Sequence, residues 1–356
     1  MKQISYLDFS NQHIYVGLDV HHKQWNVSIV SGNILLGRMS REPNTASLVK
    51  YLRTNYPGGE YHCVYEAGFC GFWPYYELTE AGVDCIVVNP ADVPTTHKEK
   101  DRKNDRIDSR KLARSLSNGE LEGIQILDPQ SYEHRALLRT REALVKDQTR
   151  CKNRIKGLMK FFKIEIKDKD IKSHWSNKYI NYLEQIDTLD VSLKISLMSY
   201  LGQLRHLRSA ISEITKQIRN LATTEKYSKN VELLCSIPGI SVLSAMILQL
   251  EIGDISLFRN LDKIRSFVGL VPSEHTSDKK KIQNHMTRRG KGILKKIIIE
   301  ASWTAIRKDP GLLMVYENLI KRVRGSRAII TIARKMIGRI MFVLKNNEPY
   351  KFLSVK

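Results

Sequence analysis

Cysteine is scarce and unpaired in this sequence. Cys63, Cys70, Cys85, Cys151 and Cys235 are an odd number, scattered, with no CxxC spacing. That pattern excludes a disulfide framework and a thiolate zinc site, and fits the reduced thiols of an intracellular protein. No hydrophobic run approaches the roughly 20 residues of a membrane-spanning helix. The opening segment MKQISYLDFSNQ also lacks the apolar core of a secretion signal. There is no internal repeat and no low-complexity tract. Acidic residues are in deficit, with 37 Asp+Glu against 58 Lys+Arg and a net charge of +21. Such an excess favours a polyanionic partner, nucleic acid or an anionic membrane surface, and the lack of any membrane segment makes the membrane the weaker reading. Apolar residues are present in the ordinary amount, 42% of 356, which supports two or three folded domains.

Hydrophobic periodicity divides the chain into three regions. In the first, His13 to Asp19 and Gln24 to Val30 read as paired strands, and Ser31-Gly32-Asn33 as a turn before a third run, Ile34 to Met39. Ala46 to Thr54 has helical spacing. His62 to Glu66 and Val83 to Val88 read as buried strands, the latter ended by Asn89-Pro90. Strands interleaved with helices predict an α/β domain over residues 1–125. From Glu133 the texture is helical. The series Leu197, Leu201, Leu204, Leu207, Ile211, Ile214, Ile218 and Leu221 steps by three and four, as in a coiled coil. An antiparallel helical hairpin within one chain and a dimerising coiled coil fit that spacing equally, so 126–230 is expected to be a helical or coiled-coil domain. A mostly helical domain follows over 231–356. There Ile237-Pro238-Gly239-Ile240 separates two helical patterns, and a basic loop from Ser277 to Arg289 precedes further helix.

In a basic chain the informative residues are acids in apolar surroundings. Asp19 ends the run Val16-Gly17-Leu18, and Glu66 ends Val64-Tyr65. Asp105 and Asp108 lie three apart in Lys103-Asn104-Asp105-Arg106-Ile107-Asp108, so a helix beginning there turns both to one face. Four carboxylates from two strand ends and one helix form an oxygen site for one or two Mg²⁺ (or Mn²⁺) ions. Without a cation, such clustering costs free energy through like-charge repulsion. Taken singly, each residue also has a structural reading: Asp105 as a helix-start residue, Asp108 paired to Arg110 or Lys111, Asp19 opening a turn. Trp73, Tyr75 and Tyr76 are either base-stacking aromatics or core beside Pro74, and His21 and His22, close behind Asp19, could touch metal or phosphate but are left out of the set.

The ordered motifs Tyr-Val-Gly-Leu-Asp-Val, Tyr-Glu-Ala-Gly, Val-Asn-Pro and Lys-Asn-Asp-Arg-Ile-Asp-Ser-Arg-Lys-Leu-Ala resemble the RuvC-like, RNase H-like N-terminal domain of DEDD-type insertion-sequence transposases, the IS110 group. Ile237-Pro238-Gly239-Ile240, Phe267-Val268-Gly269-Leu270-Val271-Pro272 and Arg288-Arg289-Gly290-Lys291 resemble that group's C-terminal transposase domain. The resemblance implies a Mg²⁺-dependent DNA transposase and recombinase acting through a phosphoserine link. Asp19, Glu66, Asp105 and Asp108 would be its catalytic metal ligands. Ser277, five residues after Pro272, occupies the group's nucleophile position, in the family thought to come from a neighbouring protomer. Asp278 stands where many members carry Gly, and Ser273 and Thr276 are neighbouring hydroxyls. The resemblance further implies double-stranded donor and target DNA, a noncoding guide or bridge RNA, a homodimer or tetramer, a prokaryotic cytoplasmic setting at the nucleoid, and a helix–hairpin–helix-like element at the Ile237–Ile240 turn. Lys279, Lys280, Lys281, Arg288, Arg289 and Lys291 are the candidate phosphate contacts. The alternatives are a RuvC-like endonuclease using water and a noncatalytic architectural binder.

The charge is also unevenly placed. Residues 279–356 hold 20 Lys+Arg and 4 Asp+Glu, a net +16, leaving only +5 for the preceding 278 residues. A gripping C-terminal part and a cation-holding N-terminal part follow from that division.

Overall fold

The computed structural model describes residues 8–94, 105–166, 175–187, 189–277, 280–287 and 290–352, with side chains outside the description at 105–107, 273–277 and 280–285. The chain divides into two compact units, Met1–Ile126 and Leu127–Lys356.

The first unit is built on one mixed sheet. Its strands are β1 (His13–Val20), β2 (Trp25–Ser31), β3 (Ile34–Arg41), β4 (Glu60–Glu66) and β5 (Asp84–Val88), in the order β3-β2-β1-β4-β5. β1, β2 and β3 pair antiparallel, while β1, β4 and β5 run parallel. The alternation of β1 decides what each face carries. Ile14, Val16 and Leu18 are fully buried and join Trp25, Val27, Cys63, Tyr65 and Val87 in one core. That core is completed by α1 (Thr45–Asn55), capped by the Asn44 side chain accepting from the Ser47 amide, and by α2 (Trp73–Glu80).

The opposite face receives α3 (Asp105–Ser117) at very close range. Gly17 makes that possible: a β-carbon there would collide with the Ser109 carbonyl oxygen and the Ala113 amide nitrogen. Ser28, the β2 partner of Gly17, meets Ser109 Oγ to Oγ at 2.9 Å, both residues buried. Further along α3, Leu112 packs with Val64, Val88 and Val93, and the Ser117 hydroxyl donates to the Gly32 carbonyl in the β2–β3 turn. The helix therefore runs antiparallel to β1, and its first turn lies toward the C-terminal ends of β1 and β4.

The second unit is helical apart from one β-hairpin. Its long helices α4 (Pro129–Phe161) and α6 (Val191–Ala222) flank the short α5 (Asn177–Glu184). Bonds from His134 to Tyr227, from Arg141 to Thr215 and from Cys151 to the Tyr200 carbonyl set α4 and α6 antiparallel. Leu197, Leu201, Leu204 and Leu207 are buried in this same chain against Cys151, Ile155, Met159 and α5. A second core gathers α7 (Ser228–Cys235), α8 (Val242–Ile252), α9 (Leu261–Val268), α10 (Gly292–Lys308), α11 (Pro310–Ile320) and α12 (Gly325–Asn346). No helix among the described residues is long and apolar enough to cross a membrane.

One expectation changes here. Part of the basic segment expected as a loop is strand: β6 (Pro272–Ser277) pairs antiparallel with β7 (Lys280–Met286). The sequences PSEHTS and KKIQNHM lack clear apolar alternation, so the strand pattern carries no periodic signal there.

Candidate active site

Residue identity alone explains why the acids sit at strand ends. Apolar side chains carry β1 and β4 through the core, and each strand turns polar where it emerges. Leu18 pairs with Tyr65 in parallel register, so Asp19 and Glu66 follow one residue later on neighbouring strands. By strand alternation both lie on the Gly17 and Val64 face, which is the face α3 covers. In α3, Asp105 lies one turn before Ser109, the residue that meets Gly17 and Ser28, and Asp108 lies one turn before Leu112, which packs with Val64. The sheet end and the helix start thus bring the four sequence positions to one end of one face. The carboxylate oxygens of Asp19, Glu66 and Asp108 do not all close to within 4.8 Å of one another. The Asp105 side chain lies outside the described residues.

Asp19 is one-fifth exposed and is held by His21, which the sequence pattern leaves out of the set, and by Asn26, which it does not name. His21 Nε2 lies 2.9 Å from Asp19 Oδ2, and the His21 amide bonds the Gln24 carbonyl in the turn that returns to β2. Asn26, directly opposite Asp19, approaches the same oxygen at 3.5 Å while accepting from the Ser40 hydroxyl at 2.7 Å. A cleft beside them is lined by Asn26, Arg38, Met39, Ser40 and Ser109. The only signal for His21 was its place two residues past the strand-end acid. These donors suit a hard divalent cation: they are carboxylate oxygens, partly withdrawn from water and gathered at a helix start.

Ser277 belongs to the other unit, at the end of β6, where it pairs with Lys280. Its side chain and those of Lys280 and Lys281 lie outside the described residues, as do Asp278, Lys279, Arg288 and Arg289 altogether. Gly290, at φ +107°, abuts Gly269, so that a β-carbon on Gly290 would stand 2.6 Å from the Gly269 α-carbon. Gly269 of the Phe-Val-Gly-Leu motif and Gly290 before Lys291 therefore meet backbone to backbone. Lys291 adds its amide to the Phe267 carbonyl and its ammonium to the Glu251 carbonyl at 2.7 Å and the Glu251 carboxylate at 3.1 Å.

Glu251 is the electrostatic anchor of this region. It is 2% exposed and also accepts from Arg139 at 2.9 and 3.2 Å. Burial opposes its ionisation, but the Arg139 hydrogen bond and the charges of Lys291, Arg139 and Arg135 outweigh burial and hold the carboxyl below its usual range. Burial likewise pulls the Lys291 ammonium down, with Glu251 opposing. A cleft at this place is lined by Arg139, Lys146, Arg150, Glu251 and Lys291.

Comparison with known proteins identifies both halves. Residues 16–164 match the DEDD transposase domain of the IS110 type, described as "Transposase", and 231–317 match "Transposase IS116/IS110/IS902 family". The chain carries both transposase domains of the IS110/IS116/IS902 insertion-sequence type. It is 27% identical over 343 residues to the transposase for insertion sequence element IS1533 of Leptospira borgpetersenii, covering 94% of this chain and 97% of that protein. It is 25% identical over 288 residues to the transposase for IS1111A of Coxiella burnetii, covering 80% and 77%. This transposase is accordingly an enzyme acting on DNA, and its DEDD domain points to dependence on a divalent metal.

Proposed function

We propose that this transposase cuts and rejoins double-stranded donor and target DNA through a phosphoserine link, with a RuvC-like, RNase H-like domain supplying the carboxylates and a basic C-terminal domain supplying Ser277. The observation that supports this most is the meeting of Asp19 and Glu66, on adjacent parallel strands, with the first turn of α3 carrying Asp105 and Asp108. Asp19, Glu66, Asp105 and Asp108 would hold Mg²⁺ or Mn²⁺, which would supply Lewis-acid stabilisation of charge on the transferring phosphate. His21 and Asn26 orient the Asp19 carboxylate. Ser277 Oγ forms a bond to phosphorus as the phosphorus–deoxyribose oxygen bond breaks. The hydroxyl proton passes to a base and the departing oxygen is protonated. Because the bond is exchanged rather than hydrolysed, the reverse attack rejoins a strand without an energy cofactor.

Lys279, Lys280, Lys281, Arg288 and Arg289 grip phosphates around the hairpin, and Lys291 joins them from the rim of the Arg139, Lys146 and Arg150 cleft. A homodimer or tetramer in the prokaryotic cytoplasm, a noncoding guide RNA, and a division at 1–125, 126–230 and 231–356 complete the reading. The test is a strand-exchange assay on element-flanking DNA, with Mg²⁺ and with or without RNA transcribed from the element. Asp19→Asn, Glu66→Gln and Asp108→Asn should each abolish strand cleavage while leaving DNA affinity and circular dichroism unchanged. Full cleavage by all three variants would contradict the metal assignment. Cleavage by the unaltered chain without any adduct or joined product would favour a water-using endonuclease.

A further inference from the structure

The same face of β1 that ends in Asp19 begins with His13, roughly 20 Å away at the other end of the strand. His13 pairs in register with Glu60 at the start of β4, and His62 lies two residues further along β4 on the same face. Among the described residues, these three form a group whose ligand atoms all lie within 4.8 Å of one another. The central atom is His13 Nδ1, 3.0 Å from His62 Nε2 and 3.1 Å from Glu60 Oε2. His62 is oriented from behind: its Nδ1 lies 2.8 Å from Asp84 Oδ2, and Tyr15 stacks on its ring at 5.2 Å. A proton on His62 Nδ1, donated to Asp84, leaves Nε2 as a lone-pair atom facing the other two. Two acceptors then converge on a single ring nitrogen, which has only one proton to offer.

A cation resolves that convergence better than one shared proton. The observed separations of 3.0 and 3.1 Å approach the edge, about 3.3 Å, of a tetrahedron with ligand distances near 2.05 Å. Two imidazoles and one carboxylate suit a borderline transition metal, unlike the all-oxygen acidic end of the sheet. The carboxylate behind a ligating histidine is the usual second partner of such a site. We infer that His13, Glu60 and His62 bind one Zn²⁺-class divalent ion, with Asp84 as a positioning residue and water completing the shell. The ion clasps the N-terminal ends of the two strands whose C-terminal ends carry Asp19 and Glu66. His13 and Glu60 are more than half exposed, so the ion enters from solvent without rearrangement of the core.

The test uses the full chain, freed of metal by chelator and titrated with Zn²⁺ against a chromophoric competitor. The unaltered chain should bind one equivalent that Asp19→Asn retains and that His13→Ala and His62→Ala each lose. Asp84→Asn should weaken that equivalent about 10- to 100-fold. Electron paramagnetic resonance with Cu²⁺ provides a second readout: each single histidine variant should show one coupled imidazole fewer than the unaltered chain. Matching far-UV circular dichroism guards against reading misfolding as loss. Equal Zn²⁺ stoichiometry and affinity in His13→Ala, His62→Ala and the unaltered chain would overturn the assignment. So would an equivalent that disappears only in Asp19→Asn.

Discussion

Gly17 shows how much the acidic end depends on an atom that is missing. Without a β-carbon, the strand lets the Ser109 carbonyl and Ala113 amide settle directly on the sheet, and this fixes where Asp105 and Asp108 fall relative to Asp19 and Glu66. Gly17→Ala should lower unfolding free energy by about 1–3 kcal/mol, the usual range for overpacking. It should also reduce strand cleavage more than DNA binding. Urea denaturation beside a cleavage assay reads both, and an unchanged cleavage rate would detach the helix contact from the chemistry. Glu251 is the corresponding residue in the other unit. Glu251→Gln removes the charge facing Lys291 and Arg139 and should cost about 1–3 kcal/mol, because it leaves the largely covered Lys291 ammonium without its counterion while the more exposed Arg139 is hydrated. Its carboxyl is held below the ordinary value of 4.5, so the folded state binds fewer protons than the unfolded chain there. That stability is fully present above about pH 4.5 and is lost as pH falls through the lower folded value. Glu251→Gln should accordingly flatten the acid limb of a stability–pH curve.

At the scale of elements, α4 begins at a cap that is both local and long-range. Asp128 accepts from the Ser131 amide at 3.0 Å and pairs with Lys226 at 2.7 Å, beyond the end of α6. Burial opposes its ionisation, yet the Lys226 and Ser131 bonds prevail and bring its pKa to about 2. Asp128→Ala should cost about 1 kcal/mol, read as a lowered denaturant midpoint at unchanged slope. The elements differ in how legible they were. β1, β4 and β5 could be read within a few residues because an apolar run buries the middle of each strand, and the leucine series of α6 because its buried stripe repeats every three or four residues. That spacing left intrachain and intermolecular seams equivalent, and only the contacts to Cys151, Ile155 and Met159 supplied the intrachain partner. α2 went unread, since Trp73–Glu80 buries little beyond Pro74 and Leu78. The β6–β7 hairpin was hidden because a polar ribbon carries no periodic signal. At the candidate site, the four acids stand out by their strand-end and helix-start places and Ser277 by resemblance; His21 is visible beside Asp19 but left out of the set, and the place of Asn26 follows only from the register that brings β2 beside β1.

For the whole molecule, the charge division of +16 over the last 78 residues and +5 over the rest matches two kinds of work. The basic part should dominate DNA affinity by releasing counterions. If six to ten phosphates are engaged, affinity should fall about 10³- to 10⁵-fold between 50 and 200 mM salt. Fluorescence anisotropy across that range checks it, and a flat response would remove the electrostatic grip from the account. The carboxylates should contribute little to that affinity and nearly everything to cleavage. The most direct measurement of the central claim is covalent trapping of labelled element-end DNA in Mg²⁺, followed by denaturing electrophoresis. A protein–DNA adduct should form with the unaltered chain and be absent with Ser277→Ala and with Asp19→Asn. An adduct that persists in Ser277→Ala, or DNA cleaved by the unaltered chain with no adduct at any time, would contradict a serine nucleophile served by an acidic, cation-holding sheet end.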